Sequence, residues 1–151
     1  MTDVHAQMSS FTHVHRSRMA AMRLSVASWD EMLSEALYSL ASRGASRQLI
    51  LATERELAAC KSEFDDCHAN AEKWVVLHPQ HKIVHGFLVM DDSFCLFHKH
   101  SVIDTGGLRL LDITRRRNQN DNRASFVEFS DALFETVQNI VQFDPARLLS
   151  R

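Results

Sequence analysis

The chain has 151 residues, a net charge of −2, 45% hydrophobic residues and 24% charged residues. These values are typical of one globular domain, and they give no electrostatic reason to expect nucleic acid or an acidic membrane as a partner. The three cysteines form no CxxC pair, which argues against a disulfide framework and against a four-thiolate zinc site. No apolar run of about 18 residues is present, so the sequence predicts no membrane-spanning helix.

Residues 1–25 carry several histidines and arginines but no uninterrupted apolar core. We expect a mobile or weakly helical leader there, rather than a secretory signal peptide. Unpaired cysteines fit a reducing compartment, so the expected location is the cytoplasm, or export by a route without a Sec-type signal. Residues 26–151 are predicted to form a single domain, and no feature of the sequence defines its oligomeric state.

Three helices are predicted in the first half of the domain. Ser28 and Glu31 have the spacing of a capping box, apolar residues then recur at helical spacing over 32–40, and Gly44 ends the run. A second helical pattern covers residues 47–64. The third helix covers 67–77 and ends before a His-Pro pair, because the residue before proline disfavours the helical region.

Beyond residue 80 the hydrophobic period changes. Residues 83–90, 94–103 and 108–113 are rich in branched and aromatic side chains and predict three consecutive antiparallel strands. Residues 115–124 are predicted to be a loop, and residues 130–143 return to helical spacing. The expected fold is α+β, with helices followed by an antiparallel sheet of three or more strands. The third helix would pack on this sheet, and a C-terminal helix would follow.

One cysteine lies where a reactive thiol would be expected. Cys67 begins the third helix, directly after Asp65 and Asp66, which offer an N-cap. A helix N-terminus favours the thiolate over the thiol through its unpaired amides and its dipole. Cys60 lies in mid-helix and Cys95 in mid-strand, so both have the pattern of ordinary small core residues.

A base and a carboxylate follow on neighbouring strands. If Thr105, Gly106 and Gly107 form a three-residue turn, His100 faces Asp112 directly across the hairpin. A two-residue turn would place the two side chains on opposite faces. The sequence therefore predicts Cys67 as nucleophile, His100 as base and Asp112 as the group that orients the base.

Two further residues could support this site. Asn70 lies one turn after Cys67 on the same side of the helix, where it either donates to an oxyanion or anchors the following strand by hydrogen bonds. His98 shares a strand face with His100. His98 and His100, with His85 on the next strand, also allow a zinc site as an alternative, although no HExxH motif supports it.

The same residues resemble a group of small bacterial and phage proteins related to the papain-like and transglutaminase-like cysteine enzymes. The resemblance covers residues 66–114, about a third of the chain. In that group an aromatic residue follows the cysteine and Ala-Trp follows the histidine, whereas His68 and Ser101-Val102 stand here. Four short motifs carry the resemblance: Cys67-His68-Ala69-Asn70-Ala71, Val84-His85-Gly86-Phe87, His100-Ser101-Val102 and Asp112-Ile113-Thr114.

The resemblance implies a papain-like core and a Cys67–His100–Asp112 triad. The expected activity is thiol-dependent acyl chemistry on an amide of a protein or peptide, by a peptidase, amidase, glutamine deamidase or transglutaminase-like enzyme. No cofactor, metal, nucleic acid or membrane is required. The alternative is a non-catalytic interaction protein, such as an effector or immunity-type module, that retains the fold.

Overall fold

The computed structural model describes residues 26–91, 93–115, 125–129, 137 and 139–150. The predicted leader, nearly all of the predicted loop over 115–124, and residues 130–136 and 138 of the predicted C-terminal helix lie outside these residues. The α+β class is confirmed. The elements follow in this order: α1 (Val26–Ser42), β1 (Arg47–Leu51), α2 (Glu54–Ala59), α3 (Cys67–Leu77), β2 (Lys82–Val89), β3 (Leu96–Asp104), β4 (Leu110–Asp112), β5 (Ser125–Glu128), β6 (Ile140–Gln142) and a 3-10 helix (Pro145–Ser150).

The strands form a mixed sheet that closes into a five-stranded barrel. The order is β2-β5-β1-β4-β3-β6, and β2 also pairs with β3, which closes the ring and leaves β6 on the edge of β3. β1 runs parallel to β4, whereas the other pairs are antiparallel. The predicted antiparallel β2–β3–β4 order is therefore present, but the sheet as a whole is mixed and closed instead of antiparallel.

The difference arises in the segment 47–64, for which one helix was predicted. Arg47–Leu51 is instead a strand, inserted between β5 and β4, and the helix α2 begins only after Thr53. Thr53 and Glu56 form a capping box: the Thr53 N–H donates to Glu56 Oε2 at 2.8 Å, and the Glu56 N–H donates to Thr53 Oγ1 at 3.3 Å. These reciprocal bonds define a helix start inside the run.

Two other helix predictions need correction. The helix α1 begins at Val26, so Ser28 lies inside it and is not its N-cap. Within the described part of the predicted C-terminal helix, Ile140–Gln142 is a strand that pairs with Leu96–His98 of β3. The apolar residues of this stretch therefore cover a sheet edge instead of lining one side of a helix.

Apolar side chains fill both the inside and the outside of the barrel. One cluster takes residues from each of the five barrel strands, which assigns it to the interior: Leu49, Val84, Leu88, Val102, Leu110 and Phe126. On the outside, α1 packs Leu33 and Leu37 against Phe87 and Phe97. The helix α3 packs Ala71 and Trp74 against Ile103, Leu111 and Ile113.

β2 and β5 approach each other closely at Gly86, which pairs with Glu128 on β5 and with His100 on β3. A β-carbon built on Gly86 would lie 2.2 Å from the carbonyl oxygen of Val127 and 2.5 Å from Cζ of Phe126. Only glycine therefore fits at the point where the barrel wall passes the candidate histidine. Among the described helices, none has the length and apolar character needed to cross a membrane.

Candidate active site

The helix α3 starts at Cys67, as predicted, and its first turn is fixed by the loop before it. The residue at the N-cap position, Asp66, makes no side-chain capping bond, so the predicted capping role is not observed for Asp66. Asp65 adopts a positive φ of 59°, which turns the chain into the helix. Cys67 is partly exposed, and the first N–H groups of a helix have no acceptor within it.

Asn70 anchors this turn. Its side chain is fully buried, its Oδ1 accepts from the Glu63 N–H at 2.9 Å, and its Nδ2 donates to the Glu63 carbonyl at 2.8 Å and to Thr114 Oγ1 at 3.4 Å. Both amide protons are thereby engaged. Asn70 therefore holds the loop before the helix, whereas the anchoring role predicted from sequence concerned the strand that follows it.

His100 and Asp112 are brought together as predicted. His100 Nε2 lies 3.0 Å from Asp112 Oδ1, and both side chains are buried. The same oxygen accepts the Thr114 N–H at 3.1 Å, so the carboxylate is held from two sides. Because Nε2 is used by Asp112, the nitrogen of His100 that remains for a thiol is Nδ1.

The hairpin register that achieves this differs from the predicted one. Ile103 pairs with Leu111, and the connection between the strands spans 105–109 instead of three residues. The register has therefore moved by two residues, which keeps His100 and Asp112 on the same face, as diagonal instead of direct neighbours. A shift by one would have separated them.

The edge of β3 at His100 lies between two partner strands. β6 pairs with this edge at Leu96–His98, and β4 pairs with it at Ile103. Asp112 is the last residue of β4 and pairs with Leu51, the last residue of β1. The barrel wall therefore ends beside His100, and the first turn of α3 approaches it there, although the rest of α3 packs on the outer face of the sheet.

Cys67 and His100 have the electrostatics of an ion pair. Burial would raise the pKa of the Cys67 thiol, but hydrogen bonds and charge interactions with His100 and His68 outweigh burial and lower that pKa to about 6. Burial would lower the pKa of His100, but its bonds to Asp112 and Cys67 raise the pKa to about 9. Between these values the favoured state is thiolate and imidazolium. Two coupled groups of this kind titrate as a pair.

A second imidazole cluster adjoins the thiol. His68 Nδ1 is hydrogen-bonded to Ser101 Oγ, and His85 Nδ1 lies 2.7 Å from the same oxygen. The rings of His68 and His85 have centroids 5.8 Å apart, and Ser101 is fully buried between them. His85 was considered from sequence only as a zinc ligand, and no role was predicted for His68 or Ser101. The signal was available, because His68 and Ser101 are the positions that depart from the resembled pattern.

The zinc alternative does not agree with the strand register. His85 pairs with Ser101, which places it on the opposite face from His98 and His100. Among the residues that the structure describes, no three His, Cys, Asp or Glu side chains group as a metal site would require. His98 pairs with Leu88 and Ile140, one alternate position along β3 from His100, and it is partly exposed.

Comparison with protein-family models, with curated proteins and with solved structures gives no match for this chain. The site is therefore interpreted from its own geometry.

Proposed function

We propose that this protein is a thiol-dependent enzyme that acts on amides through Cys67, His100 and Asp112. The observation that supports it most directly is that His100 Nε2 lies 3.0 Å from Asp112 Oδ1, while the same histidine lowers the pKa of the Cys67 thiol. A partly exposed nucleophile, a buried base and a buried orienting group are the parts that acyl transfer through a thiol needs. The resemblance to papain-like and transglutaminase-like enzymes leads to the same proposal.

In the first half-reaction the thiolate of Cys67 attacks the amide carbonyl carbon and forms a tetrahedral intermediate. The negative charge moves to the carbonyl oxygen, for which the Cys67 backbone N–H at the helix start is a donor. The imidazolium of His100 gives its Nδ1 proton to the leaving amine as the C–N bond breaks, and a thioester remains on Cys67. Asp112 keeps the ring in position and stabilises its charged form.

In the second half-reaction His100 is neutral and acts as base. It takes a proton from water or from an amine, which attacks the thioester carbonyl and releases the thiolate of Cys67. Attack by water makes the enzyme a hydrolase or deamidase, and attack by an amine makes it a transferase. The substrate is proposed to be a peptide or side-chain amide of a protein, and this chemistry requires no cofactor.

The test is the formation of a thioester on one cysteine. Incubation with p-nitrophenyl acetate is expected to give a burst of p-nitrophenolate and an acetyl group on the peptide that contains Cys67. Cys67→Ala should abolish both signals. The matched control is Cys95→Ser, which removes another partly exposed thiol and should leave the burst unchanged.

Acetylation spread evenly over the three cysteines, or a burst that persists in Cys67→Ala, would contradict the enzyme proposal. A protein that binds a partner but forms no thioester would instead fit the interaction module considered from sequence. A positive burst would be followed by a panel of peptide glutamine, asparagine and backbone amides, with ammonia release and amine incorporation as separate readouts.

A further inference from the structure

The cluster formed by His68, Ser101 and His85 is not used in the mechanism above, yet its first member is next to the nucleophile in the chain. His68 follows Cys67 on the first turn of α3 and is one of the two histidines that lower the pKa of its thiol. It bonds through Nδ1 to Ser101 on β3. Ser101 is itself bonded to His85, its cross-strand partner on β2. Three separate elements, α3, β3 and β2, therefore each contribute one side chain to this cluster.

The hydroxyl of Ser101 constrains the protons in this cluster. A serine hydroxyl has one proton to donate and can also accept. Because both contacts are to Nδ1 atoms, Ser101 donates to one of them and must accept an N–H from the other. The two imidazoles, when neutral, therefore hold their protons on different nitrogens. The hydrogen bonds of the cluster thus run in one direction, from one imidazole through Ser101 to the other.

We propose that His68 is a second catalytic imidazole, which donates a hydrogen bond to the thiolate of Cys67, and that Ser101 and His85 position it. In this arrangement His85 Nδ1–H donates to Ser101, Ser101 donates to His68 Nδ1, and His68 keeps its proton on Nε2 for the thiolate. The proposal rests on the proposed role of Cys67 as nucleophile. It assigns a role to two positions where the chain departs from the resembled family, in which an aromatic residue and an alanine stand.

Besides His68 and His85, titratable groups near this cluster lie on β3, on β4 and before α3. Lys99 shares the strand face of Ser101, whereas His100 lies on the opposite face of β3 and is bonded to Asp112 on β4. Asp65 and Asp66 precede Cys67 in the chain. His100 and His68 both lower the pKa of the Cys67 thiol, so loss of one leaves the other in place. The expected effect of removing His68 is therefore a partial and not a complete loss of thiolate character.

The first experiment follows alkylation of Cys67 by iodoacetamide from pH 4.5 to 10, with peptide mapping, in the full chain. His68→Phe, which restores an aromatic residue, is expected to raise the midpoint by about one pH unit, so that alkylation near pH 6 becomes about five-fold slower. His68→Gln keeps an amide N–H donor and should recover part of this loss. The matched control is His78→Phe at the other end of the same helix, which should leave the midpoint unchanged.

Ser101→Ala tests the positioning role. Alone it should raise the midpoint by less than His68→Phe, and in the double variant its effect should disappear, because Ser101 acts through His68. Additive effects would overturn the claim that Ser101 acts through His68. An unchanged midpoint in His68→Phe and His68→Gln would overturn the role of His68. If wild-type Cys67 is alkylated no faster than Cys95, the proposed function itself fails, and that result is read from the wild type alone.

The proton arrangement has its own signature. Imidazole ¹⁵N spectra near neutral pH, assigned with the single variants, should show His85 protonated on Nδ1 and His68 on Nε2. Ser101→Ala should release His85 from the Nδ1–H form, which is the less common one in free imidazole side chains. Both rings protonated on Nε2 in the wild type would overturn the directional cluster, even if the thiol is reactive.

Discussion

At the scale of single residues, the site depends on two groups, Cys67 and His100, whose pKa values are shifted in opposite directions by each other. Burial acts against charge on both groups, yet the thiol of Cys67 has its pKa lowered to about 6 and His100 has its pKa raised to about 9. Each group therefore supplies the charge that the other needs. Asp112, buried and bonded to His100, adds the fixed negative charge that keeps the imidazole protonated.

We expect activity to require the ion pair and thus to follow a bell-shaped pH profile. The rate should rise through about pH 6 as Cys67 ionises, remain high, and fall through about pH 9 as His100 loses its proton. The rate of acylation by an anilide substrate, whose leaving amine needs the His100 proton, is measured against pH. A single rise centred near the ordinary thiol pKa of about 8.5 would contradict the ion pair.

Asp112→Asn tests the carboxylate. The amide retains an oxygen for the Thr114 N–H but lacks the charge, so the pKa of His100 should fall and the alkaline limb of the profile should move to lower pH. We expect the acylation rate near pH 7 to drop about a hundred-fold. The control is Asp104→Asn at the end of β3, where the Asp104 side chain accepts from the Gly106 N–H, and it should keep the wild-type profile.

At the scale of elements, the helix and the hairpin that carry the site were the most predictable parts. The range 67–77 agrees with α3, because its start lies after two aspartates and its end before proline. The hairpin prediction placed His100 and Asp112 on the same face of the sheet, as observed. Side chains alternate between the two faces of a strand, so a register error of two residues leaves the face unchanged. Its exact register could not be predicted, because Gly106 and Gly107 are compatible with several connection lengths.

Other elements were beyond local reasoning. Arg47–Leu51 has only Leu49 buried among its five residues, so it lacks the alternation that marks a half-buried strand. Its conformation is set by pairing with β4 and β5, which are distant in sequence. The strand conformation of Ile140–Gln142 is likewise set by pairing with a distant strand, β3. The Thr53–Glu56 capping box is present in the sequence, but the helical spacing of apolar residues continues on both sides of it. This continuity favoured a single helix over 47–64.

Asn70 shows how one buried side chain ties α3 to the preceding loop. Asn70→Ala would leave the Glu63 N–H and carbonyl without their partners and should destabilise the fold by about 3 kcal/mol, measured by urea unfolding. Glu72→Ala, two residues further on the exposed side of the helix, is the control and should change stability by less than about 0.5 kcal/mol. Equal losses in the free energy of unfolding for the two variants would contradict the anchoring role of Asn70.

At the scale of the whole molecule, closure of the barrel depends on a glycine beside the site. Gly86→Ala would place a methyl group against both a backbone carbonyl and a buried ring, and neither can retreat without separating β2 from β5. We expect a loss of more than about 3 kcal/mol or failure to fold. Gly107→Ala, where the nearest atom is 3.6 Å away, should fold normally, and comparable solubility and Tm of both variants would contradict the close approach.

The parallel pairing of β1 with β4 has a consequence for how the protein folds. The helix α3 and the β2–β3 hairpin lie between these two strands in the chain, so their contacts are local, whereas Leu51 and Asp112 meet only after a long loop has closed. Contacts of high sequence separation form slowly because the entropy of closure precedes their gain. The β3–β4 hairpin, which joins His100 to Asp112 across a separation of 12 residues, should therefore form before β1 closes the barrel against β4, and during refolding the thiol of Cys67 should become reactive before the slowest phase. A newly made chain would thus assemble the residues of its site before its barrel is complete.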